Sequence, residues 1–107
     1  MPAVRIVAKY VDEGHLGSDN KFYLLASINE ENKIISGEWV GYFLTEGKKH
    51  PCILDHKGTL WFDQEDEQYT EATNLLLKPI REKEYFSFIT NDKSEHTYQI
   101  ISLKELP

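Results

Sequence analysis

The sequence predicts a small, mainly β protein, built as a single antiparallel β-barrel or a two-layer sandwich of seven or eight strands. Apolar and polar residues alternate with period two through most of the chain, which is the pattern of half-buried strands. Turn-forming residues separate these stretches at intervals of about ten residues. The 107 residues, 40% of them hydrophobic, suit one compact core, so we expect a single globular domain over residues 1–107.

Alternation predicts the strands of the first half. Val4, Ile6, Ala8 and Tyr10 fall on one face of residues 3–11, as a half-buried strand requires. The next stretch, dense in Gly, Asp, Asn and Ser, is typical of an exposed loop. Glycines among aromatic residues further on favour a curved strand, which suits a barrel. We predict strands over 3–11, 21–29, 34–44 and 52–54, with loops at 12–20, 30–33, 45–51 and 55–58.

The second half contains one ambiguous segment. Strands are predicted at 59–62, 85–90 and 95–103, the last two forming a hairpin. Between them, the spacing of Tyr69, Ala72 and Leu76 and the stop at Pro79 favour a short helix near residues 65–77. However, the threonines of this segment are poor helix formers, and an apolar run follows them. We favour a strand over residues 72–78, and the helix stays as the alternative.

Composition limits the compartment and the partners. The chain has 12 basic and 18 acidic residues and a net charge of −6, which disfavours nucleic acid and anionic membranes as partners. The N-terminal residues lack the pattern of a leader peptide, and no apolar stretch approaches the roughly 18 residues of a membrane helix. A single Cys52 excludes an internal disulfide. A cytoplasmic location is the simplest expectation.

Few residues suggest catalysis or metal binding. His50, Cys52 and His56 have even spacing, but in an extended strand His56 lies roughly 13 Å from Cys52, too far for one zinc ion. Cys52 lacks the flanking signature of a catalytic thiol. Glu38, beside Trp39, is a carboxyl group whose neighbours could raise its pKa. We expect no metal site, no cofactor and no enzymatic activity, with an enzyme using Cys52 or Glu38 as the alternative.

The acidic residues are concentrated in a stretch that directly follows two large aromatic residues, Trp61 and Phe62. Residues 63–71 contain five Asp or Glu and no Lys or Arg. Acidic residues around aromatic anchors are typical of surfaces that capture a basic protein. The sequence therefore predicts a non-enzymatic module that docks on a protein, as an inhibitor or toxin-neutralising protein would. The predicted docking residues are Trp61, Phe62, Asp63, Glu65, Asp66, Glu67, Tyr69 and Glu71.

The alternative function is the binding of a small ligand in an aromatic pocket of the barrel. Its predicted lining comprises Glu38, Trp39, Tyr42, His96 and Tyr98. An exposed edge at the first or last strand would also permit a homodimer.

Overall fold

The computed structural model describes residues 3–11, 20–63 and 68–106. Within them, eight antiparallel strands run in chain order around a closed barrel, and the first strand pairs with the last. The barrel prediction is confirmed, and the chain does not form a sandwich. The strands are β1 (Ala3–Tyr10), β2 (Lys21–Ser27), β3 (Trp39–Thr45), β4 (Lys48–Leu54), β5 (Thr59–Asp63), β6 (Gln68–Thr73), β7 (Tyr85–Ile89) and β8 (Glu95–Glu105).

The core lies inside the barrel, where every second residue of each strand points inward. In β1, for example, Val4, Ile6 and Ala8 are buried, as the alternation predicted. Aromatic side chains fill the centre, and Phe22 packs its ring 4.7 Å from that of Phe43 (centroid to centroid). An eight-stranded barrel has room inside for such side chains and little more. The largest fully buried side chains are Phe22, Phe86, Phe88, Ile6, Leu24, Leu54, Leu60, Leu75, Ile80 and Ile100.

The third and fourth strands differ from their prediction. Strand β3 begins at Trp39, and Ile34, predicted to lie in it, forms only an isolated bridge to Ile28. The predicted loop 45–51 is reduced to a two-residue turn, because Glu46 and Gly47 both have positive φ (51° and 78°). Two central residues of this kind match the twist of the flanking strands and close a tight hairpin. As a result, β4 starts at Lys48, four residues before its predicted start.

The ambiguous segment forms a strand, but not where it was predicted. Strand β6 covers Gln68–Thr73, and a single 3₁₀ turn follows at Leu75–Leu77. The predicted strand at 72–78 is therefore shifted, and the described part of 65–77 contains no α-helix. Asn74 lies between β6 and the 3₁₀ turn, and its side-chain Oδ1 accepts a hydrogen bond from the Ser87 backbone N–H at 2.8 Å. This bond holds the chain against β7 where β6 ends.

The pairing of β6 with β7 is short. Only Ala72 with Ile89 and Thr73 with Phe88 are paired, whereas β5 and β6 pair along five residues each, from Thr59 with Ala72 to Asp63 with Gln68. Over the described residues, the first half of β6 is therefore bonded on one side only.

Closure of the barrel pairs the first strand with the last. Strands β1 and β8 pair from Val4 with Glu105 to Tyr10 with Tyr98. The exposed edge predicted at the first or last strand, through which a homodimer could form, is therefore absent. In the described part of the chain, no helix has the length and apolar character needed to cross a membrane.

Candidate functional site

A cavity of about 410 Å³ opens at one end of the barrel, and we call it the mouth pocket. It lies where β1, β3, β5 and β7 end and where the other four strands begin. Inward-facing residues from all these strand ends converge on it because neighbouring strands are antiparallel. Its lining residues are Tyr10, Asn20, Phe43, Thr45, His50, Phe62, Tyr69, Glu71, Phe88, Thr90, His96 and Tyr98.

Aromatic rings form the floor of the mouth pocket. The ring of Phe43 lies 5.6 Å from that of Phe62 and 4.9 Å from that of Phe88, and Phe88 lies 5.2 Å from Tyr98 (all between centroids). Tyr10 extends this layer toward the opening, 5.5 Å from Tyr98. All of these rings except Tyr10 are buried, so the floor of the pocket is the surface of the core that faces the opening. Packing against the core fixes the shape of the floor.

Of the described residues that line the mouth pocket, Glu71 is the single carboxylate. It is paired with the buried Leu60, which places its side chain on the inner face of β6. Burial raises the pKa of the Glu71 carboxyl group. A hydrogen bond donated by the Tyr69 hydroxyl and the nearby His96 oppose this effect, because both favour the charged form. The pocket therefore contains a half-buried carboxyl group on the inner face of β6.

The influence of Glu71 extends to its neighbours. Burial, reinforced by Glu71, raises the pKa of the Cys52 thiol to about 12 and that of the Tyr98 hydroxyl to about 12. A thiol with such a pKa is almost entirely protonated at neutral pH and is a poor nucleophile. The environment of Cys52 is thus that of a buried core residue. Among the residues described, no three His, Cys, Asp or Glu side chains are grouped to hold a metal ion.

The structure separates the predicted docking residues onto two faces. Phe62, Tyr69 and Glu71 face the mouth pocket, whereas Trp61 lies on the outer face and is 40% exposed. The indole Nε1 of Trp61 donates a hydrogen bond to Asp55 Oδ2 at 2.8 Å. The backbone of Asp63 ends β5. Glu65, Asp66 and Glu67 lie outside the described residues, so docking through this segment stays a prediction.

Of the five predicted pocket residues, His96 and Tyr98 line the mouth pocket. Trp39 lies at the opposite end of β3 from Thr45, and its indole Nε1 donates to the Ile35 carbonyl oxygen at 3.0 Å. Tyr42 lies outside, with its ring stacked 4.6 Å from that of Tyr23. Glu38 is exposed just before β3. These three residues do not contribute to the cavity.

Sequence reasoning missed several pocket residues. Tyr10, Phe43 and Phe88 were assigned to strands and Thr45 to a loop, but none of them to a site. The sequence did contain a usable pattern. In a barrel whose strands run up and down in chain order, the end of one strand and the start of the next lie at the same end of the barrel, so the inward-facing residues there must come together. Using it would have required knowing that the sheet closes.

An apolar row crosses the outside of four neighbouring strands, and we call it the outer row. Val40 pairs with Ile53 and Ile53 with Trp61, and Leu25 on β2 lines a shallow surface cavity together with Val40. All four side chains are 40–58% exposed. Large exposed apolar side chains that adjoin one another mark interaction surfaces more often than isolated ones do.

The fold and the cavity define the class of the protein: an eight-stranded, up-and-down β-barrel with a pocket at one end. In comparisons with known proteins, the chain matches no family model, no curated protein and no solved structure.

Proposed function

We propose that the protein binds a small molecule in the mouth pocket. The observation that carries this proposal is the cavity itself, about 410 Å³ in volume, with an aromatic floor and several polar side chains that converge on it. Small-molecule sites are typically concave, mostly apolar, of about 300–1,000 Å³, and have a few polar groups that orient the ligand. Barrels of eight strands also accommodate single small ligands in other proteins.

The polar groups of the mouth pocket are distributed in a way that suits ligand orientation. Glu71 and Tyr69 lie on β6, whereas His96 lies on β8, on the other side of β7. A ligand resting on the aromatic floor would meet polar groups from more than one strand. Such a ligand would gain apolar contact from the floor and directional hydrogen bonds from the wall.

A fragment screen by two-dimensional NMR tests this proposal. We expect some fragments to shift resonances of pocket residues such as Tyr98 and His96. Thr45→Trp should fill the cavity and weaken binding at least about tenfold, because its side chain lines the pocket. Leu44→Trp, one residue earlier on the outer face of β3, is the matched control and should bind normally. The proposal fails if no fragment shifts a pocket resonance, or if both variants bind alike.

A second candidate function is docking of a protein on the outer row. Strands β1–β4 contain five Lys or Arg residues and no Asp or Glu, although the whole chain is acidic. Charge complementarity therefore favours a partner with an acidic surface and apolar side chains that cover the outer row. The basic residues are Arg5, Lys9, Lys21, Lys48 and Lys49.

Paired serine substitutions test the docking candidate. Once a captured protein has been identified and purified, Val40→Ser with Ile53→Ser should weaken its binding at least about tenfold, and salt should weaken it further. Ile89→Ser with Ile101→Ser removes exposed apolar residues (44% and 38% exposed) from β7 and β8 and should have no effect. Equal losses in both double variants, capture of RNA instead of protein, or no stoichiometric complex would each contradict the candidate.

A further inference from the structure

The charged lining of the mouth pocket has one sign. Its twelve described lining residues include Glu71 but no Lys or Arg, and the basic side chains among these twelve are the imidazoles of His50 and His96. When the imidazoles are neutral and Glu71 is ionised, the described lining carries one negative charge. A bound anion would face this carboxylate at close range in a partly desolvated site, which is unfavourable.

Among the described residues, Glu71 has no Lys or Arg salt-bridge partner, and the basic side chain that acts on its pKa is His96. Glu71 accepts a hydrogen bond from Tyr69. The one Lys or Arg salt bridge in the described part of the chain joins Lys78 and Glu84, away from the pocket. Burial of a carboxylate without a cation costs free energy, which an incoming cation would offset. The pocket is therefore better matched to a positively charged group than to a neutral or negative one.

The aromatic lining also favours a positively charged ligand. Six of the twelve lining residues are Phe or Tyr. The face of an aromatic ring carries negative electrostatic potential and attracts organic cations, especially ammonium groups, in desolvated sites. The rings would at the same time contact an apolar remainder of the ligand. A carboxylate and several rings around one cavity are the two features by which proteins recognise ammonium ligands.

We propose that the ligand of the mouth pocket is an organic cation, with an ammonium group beside Glu71 and a short apolar tail on the aromatic floor. This inference rests on the proposed small-molecule function, and it adds the chemical class of the ligand. The overall charge of −6 acts in the same direction, because it raises the concentration of cations near the protein.

Three probes of equal chain length test the charge preference: hexyltrimethylammonium, 1-hexanol and hexanoate. Their dissociation constants are measured by NMR titration of the full chain at about pH 8, above the range in which imidazoles ordinarily titrate. We expect the ammonium to bind at least about tenfold more tightly than the alcohol, and hexanoate to bind most weakly. The shifted resonances should be those of pocket residues.

The variant Glu71→Gln keeps the shape of the side chain and removes its charge. It should reduce the affinity for hexyltrimethylammonium to nearly that for 1-hexanol. Glu95→Gln, at the exposed start of β8, is the control and should leave all three affinities unchanged. If Glu71→Gln does not fold, the ranking of the three probes on the unmodified protein still decides the question.

The outcomes distinguish the two proposals. If 1-hexanol or hexanoate binds in the pocket as tightly as the ammonium, or if Glu71→Gln leaves ammonium binding unchanged, the cation inference is overturned while small-molecule binding stands. If none of the probes binds, the cation inference is overturned, and the fragment screen alone decides the proposed function.

Discussion

Replacement of Gly41 by alanine should destabilise the barrel by about 3 kcal/mol or more. A Cβ atom at this position would lie 2.2 Å from the Tyr23 carbonyl oxygen and 3.2 Å from the Leu24 Cα. Both atoms belong to the backbone of β2, which pairs with β3 here, so neither can rotate away. The two strands would have to separate, and in a closed barrel that movement disturbs the ladders on their other sides as well.

Urea-induced unfolding, followed by circular dichroism, measures this effect. The control is Gly47→Ala in the tight turn, where a Cβ would meet no atom within 4 Å but φ is +78°. That variant should lose only the roughly 1–2 kcal/mol associated with a left-handed conformation. If Gly41→Ala is as stable as Gly47→Ala or more so, the close approach of β2 and β3 is not as described.

Phe88→Ala should lower the free energy of unfolding by about 3–5 kcal/mol. Phe88 is 1% exposed and touches both the core and the mouth pocket, with its ring centroid 5.0 Å from that of Phe22. Its removal leaves a void that the surrounding rings cannot fill without leaving their rotamers. The same change joins this void to the pocket, so the site should become larger and more apolar.

Tyr85→Ala provides the matched control, because Tyr85 is a ring of similar size on the same strand but is 48% exposed on the outer face. Its loss should cost less than about 1 kcal/mol. Thermal unfolding compares the two variants, and added benzene should raise the midpoint of Phe88→Ala more than that of Tyr85→Ala, since apolar cavities bind such molecules. Similar losses in both variants would contradict the assignment of inner and outer faces.

The fold class could be predicted from the sequence because alternation survives in most strands. Strands β1, β2 and β8 lie close to their predicted positions, and each has one buried and one exposed face. The start of β4 could not be predicted in this way, since Pro51 suggests a loop. In the structure, Pro51 precedes the ladder to β5 and lies where β4 is bonded to β3 alone, a position that tolerates proline.

The site was harder to predict than the fold. Trp61 and Glu71 are neighbours across the β5–β6 hairpin, but their side chains lie on opposite faces, because Glu71 pairs with Leu60 and Trp61 with Thr70. A shift of one position moves a side chain from the outer surface to the interior. Charge counted along the sequence does not contain this information. Which residues line the pocket depends on the register between neighbouring strands and on the pairing of β1 with β8. Both are set by contacts between residues that are far apart in the sequence.

Because the pairing of β6 with β7 is short, the β6 side of the cavity resists displacement less than the aromatic floor does. Over the described residues, the part of β6 that carries Tyr69 and Glu71, residues 68–71, is paired with β5 but not with β7. Displacing it breaks fewer hydrogen bonds than displacing any strand held on both sides, so its opening costs less free energy. The aromatic floor, by contrast, is anchored in the core. The side of the cavity that carries Glu71 is therefore easier to displace than the aromatic floor.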